Sequence, residues 1–132
     1  MSILAALRKT GDFPFGGRIV DGKQCLEYGN VAAVLMARSR AGTREEWEAG
    51  VAKIWDQIVA ELQTNEGFKG IVALWNSDRA RSVSVWGLWD TMEHRLAYEA
   101  RSAESVRGLF NPLFEEVPDR PRYIVTNAFF AD

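Results

Sequence analysis

FKGIVALWNSDRARSVSVWGLWDTMEHRLAY, residues 68 to 98, reads as strand, polar turn, strand and the first turns of a helix without a break. Ile71-Val72-Ala73-Leu74-Trp75 is a short apolar run bounded by Gly70 and by Asn76-Ser77-Asp78, the pattern of a buried strand. From Ser82 to Trp89 the side chains alternate in part: Val83, Val85 and Trp89 share one face, Ser82, Ser84 and Trp86 the other. Asp90-Thr91 then offers a side-chain oxygen to open a helix. Glu93 falls in its first turn, where the helix dipole favours a carboxylate.

Upstream, Asn30 to Arg38 (NVAAVLMAR) is an apolar run with no polar face, as in a strand covered on both sides of its sheet. Thr43 predicts a helix cap, with Glu46 completing a capping box. Trp47, Val51, Ile54, Trp55, Ile58, Val59 and Leu62 follow at steps of three and four, the repeat of an amphipathic helix. Gly67 supplies its stop. Downstream, Met92 to about Arg101 is helical. A second helical stretch, Ala103 to Glu116, is interrupted by Gly108 and Asn111-Pro112, where a bend or break is expected. Arg122 to Phe130 (RYIVTNAFF) predicts the last strand.

The order β-α-β, β-α-β is the split βαβ, ferredoxin-like arrangement of an α+β protein, with an antiparallel sheet. Right-handed crossovers put the first and third strands at the centre and both helices on one face. The first strand is nevertheless apolar on both sides, so the uncovered face predicts a homodimer with the two sheets packed together. Residues 1–29 read as an N-terminal extension, with a short helix over Ser2–Lys9 and a small hairpin over Arg18–Glu27 turning at Asp21-Gly22. Residues 30–132 form the domain proper.

Composition bounds the function. A chain of 132 residues with 47% apolar and 26% charged residues is one soluble domain by these measures. The net charge of −2, without a basic cluster, points away from nucleic acid and anionic membranes. No run approaches the ~20 apolar residues of a membrane span. A single cysteine, Cys25, fits a reducing compartment, and a cytoplasmic location is expected. Five tryptophans are the unusual count; core packing and a flat aromatic ligand are the two readings of them.

VLMARSRAGTREEWE entering a long helix, then EGFKGIVALW and VSVWGLWDTMEHRLAYE, resembles the dimeric α+β barrel superfamily, and more narrowly the antibiotic-biosynthesis monooxygenase (ABM) domain group. The likeness covers about residues 30 to 130 and is strongest at Leu88-Trp89-Asp90-Thr91. It implies a dimeric ferredoxin-like fold. It also implies one of several activities: cofactor-independent oxygenation of aromatic polyketides or quinols, haem degradation, or a role without catalysis. Haem-degrading relatives carry an Asn in the first strand, a Trp in the second helix and a His further along. Here Leu35 or Met36, Tyr98 and Gly108 stand near those places, so that triad is absent. Many quinol-oxidising relatives have a His where Tyr98 stands.

His94 is the single histidine, which excludes a multi-histidine metal site, and no metal is expected. Four residues before Tyr98 on one helical face, it is the candidate general base, with Tyr98 as donor to an oxyanion; a solvent-exposed His94 is the competing reading. Trp75, Trp86 and Trp89 are candidate walls for a planar substrate. Asn76 is a candidate to orient its carbonyl, or a turn former, and Arg38 to hold an anion, or a surface ion pair. Two functions remain open. One is a small cofactor-independent monooxygenase acting on a flat polyketide, quinol or anthrone-type aromatic. The other is a non-enzymatic dimeric ligand-binding or stress-related protein of the same fold. The partners expected are a small aromatic molecule and a second copy of the chain.

Overall fold

The computed structural model describes residues 26–131. The N-terminal helix, most of the hairpin read over Arg18–Glu27, and Cys25 lie outside the described residues.

Among the described residues, four strands, β1 (Val31–Arg38), β2 (Phe68–Trp75), β3 (Ser82–Trp89) and β4 (Arg122–Ile124), form one sheet in the order β2-β3-β1-β4. Every neighbouring pair is antiparallel, and β1 and β3 hold the centre, as the ferredoxin-like reading requires. The register sets Val31 opposite Trp89 and Arg38 opposite Ser82, so the predicted alternation of β3 is carried directly onto β1.

Among the described residues, three α-helices follow from local sequence. α1 (Arg44–Gln63) starts at Thr43, whose side chain accepts from the Glu46 amide at 3.2 Å. Only that half of the expected capping box is made among the described residues. α1 buries Trp47, Ile58 and Leu62, members of the predicted apolar stripe. α2 (Met92–Arg101) starts at Thr91, whose hydroxyl accepts from the His94 amide. α3 (Ala103–Phe110) stops where Pro112 forbids a continued helix, and Asn111–Leu113 tighten into a 3₁₀ turn.

The last strand is shorter than the sequence suggests: β4 pairs only with Val31–Ala33. Past Val125, whose amide bonds the Asn30 carbonyl, β1 has ended and offers no further ladder. Before β4 the chain still follows β1, through Val34 N–H to the Pro121 carbonyl and paired bonds between Met36 and Asp119. The prolines at 118 and 121 have no N–H to give, so this stretch makes bridges instead of a continuous strand.

The core lies between the sheet and the helices, around Val31, Val85, Trp89, Ile58, Leu62, Tyr98, Val106 and Phe110. The described helices leave the other sheet face free; Leu88 and Val34 on it are buried, but part of it is exposed among the described residues. Met36, Leu74, Trp86 and Tyr123 stand on it at 45%, 38%, 40% and 53% exposure. Tyr123 belongs to this face because it pairs with Ala32, whereas its neighbour Arg122 reaches Glu99 on α2.

Candidate functional site

Trp89 ends β3 wholly buried, edge-on to Phe68 at 5.4 Å and stacked on Tyr98 of α2 at 4.8 Å. One helical turn before Tyr98, Arg95 lays its guanidinium over both rings, 4.9 Å from the Tyr98 centroid and 5.8 Å from that of Trp89. A guanidinium only 9% exposed needs compensation. The rings supply part, and Glu99, at 2.7 Å from Nε, the rest. Glu99 is also held by Arg122, and these two arginines offset its burial and lower its pKa.

Gly87 makes the space. A Cβ there would stand 3.3 Å from the Trp89 indole nitrogen and 3.5 Å from Arg95 Nη1, so the missing side chain leaves both donors facing the same gap. The Trp89 Nε1 is buried and has no hydrogen-bond partner. Gly87, Arg95 and Tyr98 line a cavity of about 60 Å³, walled elsewhere by Leu62, Ile71, Val85, Val106 and Phe110. Arg107 of α3 and Arg120 of the loop before β4 complete it. Arg120 Nε is a second buried donor without a partner, while its Nη2 reaches Asn111 at 3.2 Å.

The electrostatics are one-sided. Burial, then the like charges of Arg107 and Arg95, disfavour the cationic form of Arg120. Burial raises the Tyr98 pKa against the opposing pull of Arg95 and Arg107, so the phenol stays protonated at neutral pH and can donate. No carboxylate or imidazole lines the cavity among the described residues. Such a site can hold a negative charge and hydrogen-bond an oxyanion; it contains no side chain suited to take a proton. Its volume admits the polar end of a ligand. A fused-ring body, which needs a pocket of about 300–1,000 Å³, must lie in the broad groove of about 840 Å³ outside, which shares Arg107 and Arg120 with the cavity.

The residues singled out from sequence are dispersed. Tyr98 lines the cavity and Trp89 stacks beneath it. His94 does not join them: Asp90, one turn earlier, takes its Nδ1 at 2.7 Å, Glu66 lies 3.6 Å from Nε2, and the side chain packs over Gly67. The Asp90 hydrogen bond is the main reason its pKa is raised; desolvation opposes, and Glu66 and Glu93 add to the rise. Trp75 closes β2 beside Arg44 and Trp47, at the far end of the sheet. Trp86 is on the open face, its indole nitrogen donating to the Ser84 hydroxyl. Asn76 shapes its own turn, accepting from the amides of Asp78 and Arg79. Arg38 pairs with Glu115 at 2.9 Å.

Arg95, Arg107, Arg120 and Gly87 were not singled out. Arg95 carried a usable signal, since i, i+3 spacing puts it beside Tyr98 as readily as i, i+4 does His94. Nothing local marks Arg120, which sits between two prolines in a loop. No group of three His, Cys, Asp or Glu side chains among the described residues could hold a metal ion. None of the described helices is long and apolar enough to cross a membrane.

The fold is that of ABM-domain proteins. SnoaB, a cofactor-independent oxygenase from Streptomyces nogalater, superposes with a TM-score of 0.59 at 12% identity, over 76% of this chain and 96% of its own. A protein from Bordetella bronchiseptica named for antibiotic biosynthesis monooxygenases matches with a TM-score of 0.59 at 17% identity, over 75% of this chain and 99% of its own. A Caulobacter crescentus protein named for the same group gives 0.56 at 12% identity, over 76% and 92%. At these identities the likeness is one of fold. No family model matches the sequence, and no curated protein matches it by sequence.

Proposed function

We propose that this protein is a small cofactor-independent monooxygenase-like protein that takes a flat, electron-rich aromatic as its anion, with the acidic end in the cavity and the rings in the groove outside. The observation that supports this is the cavity that Gly87, Arg95 and Tyr98 line, with Arg95 Nη1 and the unpartnered Trp89 Nε1 beside the space left by Gly87, within a fold shared with SnoaB. Neighbouring cations lower the pKa of a bound enol or phenol, so the substrate loses its proton to water at the groove. The protein then needs no base of its own. The anion passes an electron to dioxygen and the pair combines to a peroxide. Loss of water completes the change of a ring CH₂ and O₂ to a ring C=O and H₂O. Arg95, Tyr98 and Trp89 hold the oxyanion through this sequence.

The test is dioxygen uptake with a panel of hydroxyanthrones and quinols. One O₂ consumed per substrate is expected, and Arg95→Gln should lower turnover by about 10²-fold, the usual cost of one oxyanion donor. If no member of the panel consumes oxygen while aromatic anions still bind, the monooxygenase reading fails. The second reading, a ligand-binding or stress-related protein without catalysis, then takes its place. That reading draws on the small volume of the cavity and on the absence of a base among its described lining residues.

We further propose that two copies pair through the open sheet face, because Met36, Leu74, Trp86 and Tyr123 leave apolar side chains exposed there among the described residues.

A further inference from the structure

Of the arginines that make no ion pair among the described residues, which include Arg40, Arg79 and Arg101, Arg107 and Arg120 are the two that line the cavity. Arg38, Arg44, Arg81, Arg95 and Arg122 each have a carboxylate partner. Arg107 and Arg120 make no ion pair among the described residues, although Glu99, Glu104, Glu115 and Glu116 line the groove they share. Both line the groove and the cavity, one from α3, the other from the loop that enters β4. The buried Nε of Arg120 is an ionised donor without an acceptor, and Arg95 adds a third like charge behind them. A buried guanidinium N–H left without an acceptor, with two like charges beside it, is unfavourable unless an anion completes the set. Glu99 and Glu115 of the groove are already paired with other arginines, so they do not compete for Arg107 and Arg120, and positive potential remains at this threshold.

We propose that Arg107 and Arg120 form a carboxylate-binding subsite at the mouth of the cavity, and that the ligand is an aromatic carboxylic acid. The inference rests on the cavity being the ligand site, as proposed above, and adds a second recognition element distinct from the Arg95–Tyr98–Trp89 donors. A carboxylate suits the pair because two guanidinium forks present parallel N–H donors, and two oxygens accept from both at once. The carboxylate anchors at the threshold, the rings lie in the groove, and only the ring substituent that becomes the oxyanion enters the space over Gly87.

Isothermal titration with 2-naphthoate and with 2-naphthamide, the same ring system without the charge, provides the test. Naphthoate should bind at least about tenfold more tightly than the amide, and its affinity should fall as salt is raised from about 50 to 500 mM, where screening lengths shorten. Arg107→Gln and Arg120→Gln should each weaken naphthoate by about tenfold or more while changing the amide less than about twofold. Arg107→Lys retains the charge without the fork and should fall between wild type and Arg107→Gln; it supplies the reading if a glutamine variant does not fold. Equal affinity for acid and amide overturns the proposal. So does undetectable naphthoate binding at millimolar concentration, or unchanged affinity in a folded glutamine variant. Oxygen uptake on neutral anthrones without any preference for naphthoate defeats the subsite alone. Arginine-dependent naphthoate binding without oxygen uptake defeats the monooxygenase reading alone.

Discussion

Replacing Gly67 and Gly29 by alanine separates two costs that glycine usually conceals together. Both have positive φ, 82° at Gly67 and 85° at Gly29, where an L side chain is disfavoured by about 1–2 kcal/mol. Around Gly29 an added Cβ meets nothing within 4 Å, so Gly29→Ala should cost about 1 kcal/mol, the conformational part alone. At Gly67 the same atom would lie 2.2 Å from Asp90 Oδ1, 2.5 Å from His94 Nδ1 and 2.6 Å from His94 Cβ. The first two atoms can swing away once their hydrogen bond is given up. The His94 Cβ cannot, because it is fixed to the backbone of α2, so the first turn of that helix must shift. Overpacking of this kind adds about 1–3 kcal/mol, for a total near 3 kcal/mol. Urea unfolding at constant m reads both values. In a His94→Ala background Gly67→Ala should remain costly, since the Cβ stays. Equal midpoints for the two single glycine variants would refute the placement of α2 over the turn that opens β2.

Thr43→Ala should cost about 1 kcal/mol through loss of the α1 cap, whereas Ile58→Ala, wholly buried in the native chain, should cost about 2–5 kcal/mol; urea midpoints in the reverse order would contradict the packing of α1. The proton NMR titration of His94, unambiguous because it is the single histidine, should give a pKa above its ordinary value, and Asp90→Asn should bring it down. A folded-state pKa raised above the unfolded one contributes stability that is complete below the unfolded pKa and lost as pH rises through the folded one. The advantage of wild type over Asp90→Asn should therefore shrink with rising pH across that window, and an advantage that grows would reverse the assignment. Sedimentation should show a dimer at micromolar concentration, and Trp86→Arg should shift it toward monomer by placing a charge on the open apolar face; a wild-type monomer would remove the sheet-face interface.

The sequence by itself determined the architecture, because each element carries its own local physics. Thr43 and Thr91 cap helices through hydrogen bonds made three residues away. Pro112 breaks the third helix by lacking an N–H. Alternation along Ser82–Trp89 assigns faces without knowledge of any partner strand. That the helices leave one face of β1 to be covered by something else follows from the same arithmetic, since helices that cross on one side cannot cover both. The candidate site was legible only at Tyr98 and, as part of its floor, Trp89. Helical spacing allows both His94 and Arg95 to flank Tyr98, and the choice falls to contacts from outside the helix: Gly67 and Glu66 hold His94 at the β2 end, and the rings of Trp89 and Tyr98 with Glu99 hold Arg95 over the cavity. Arg107 and Arg120 are 13 positions apart and meet at one opening because α3 and the strand-like run beside β1 return to the same side of the sheet. Charges far apart in the chain leave no periodic signature of their convergence. Only the tertiary structure brings them together, and it does so around a space whose shape depends on a side chain that Gly87 lacks.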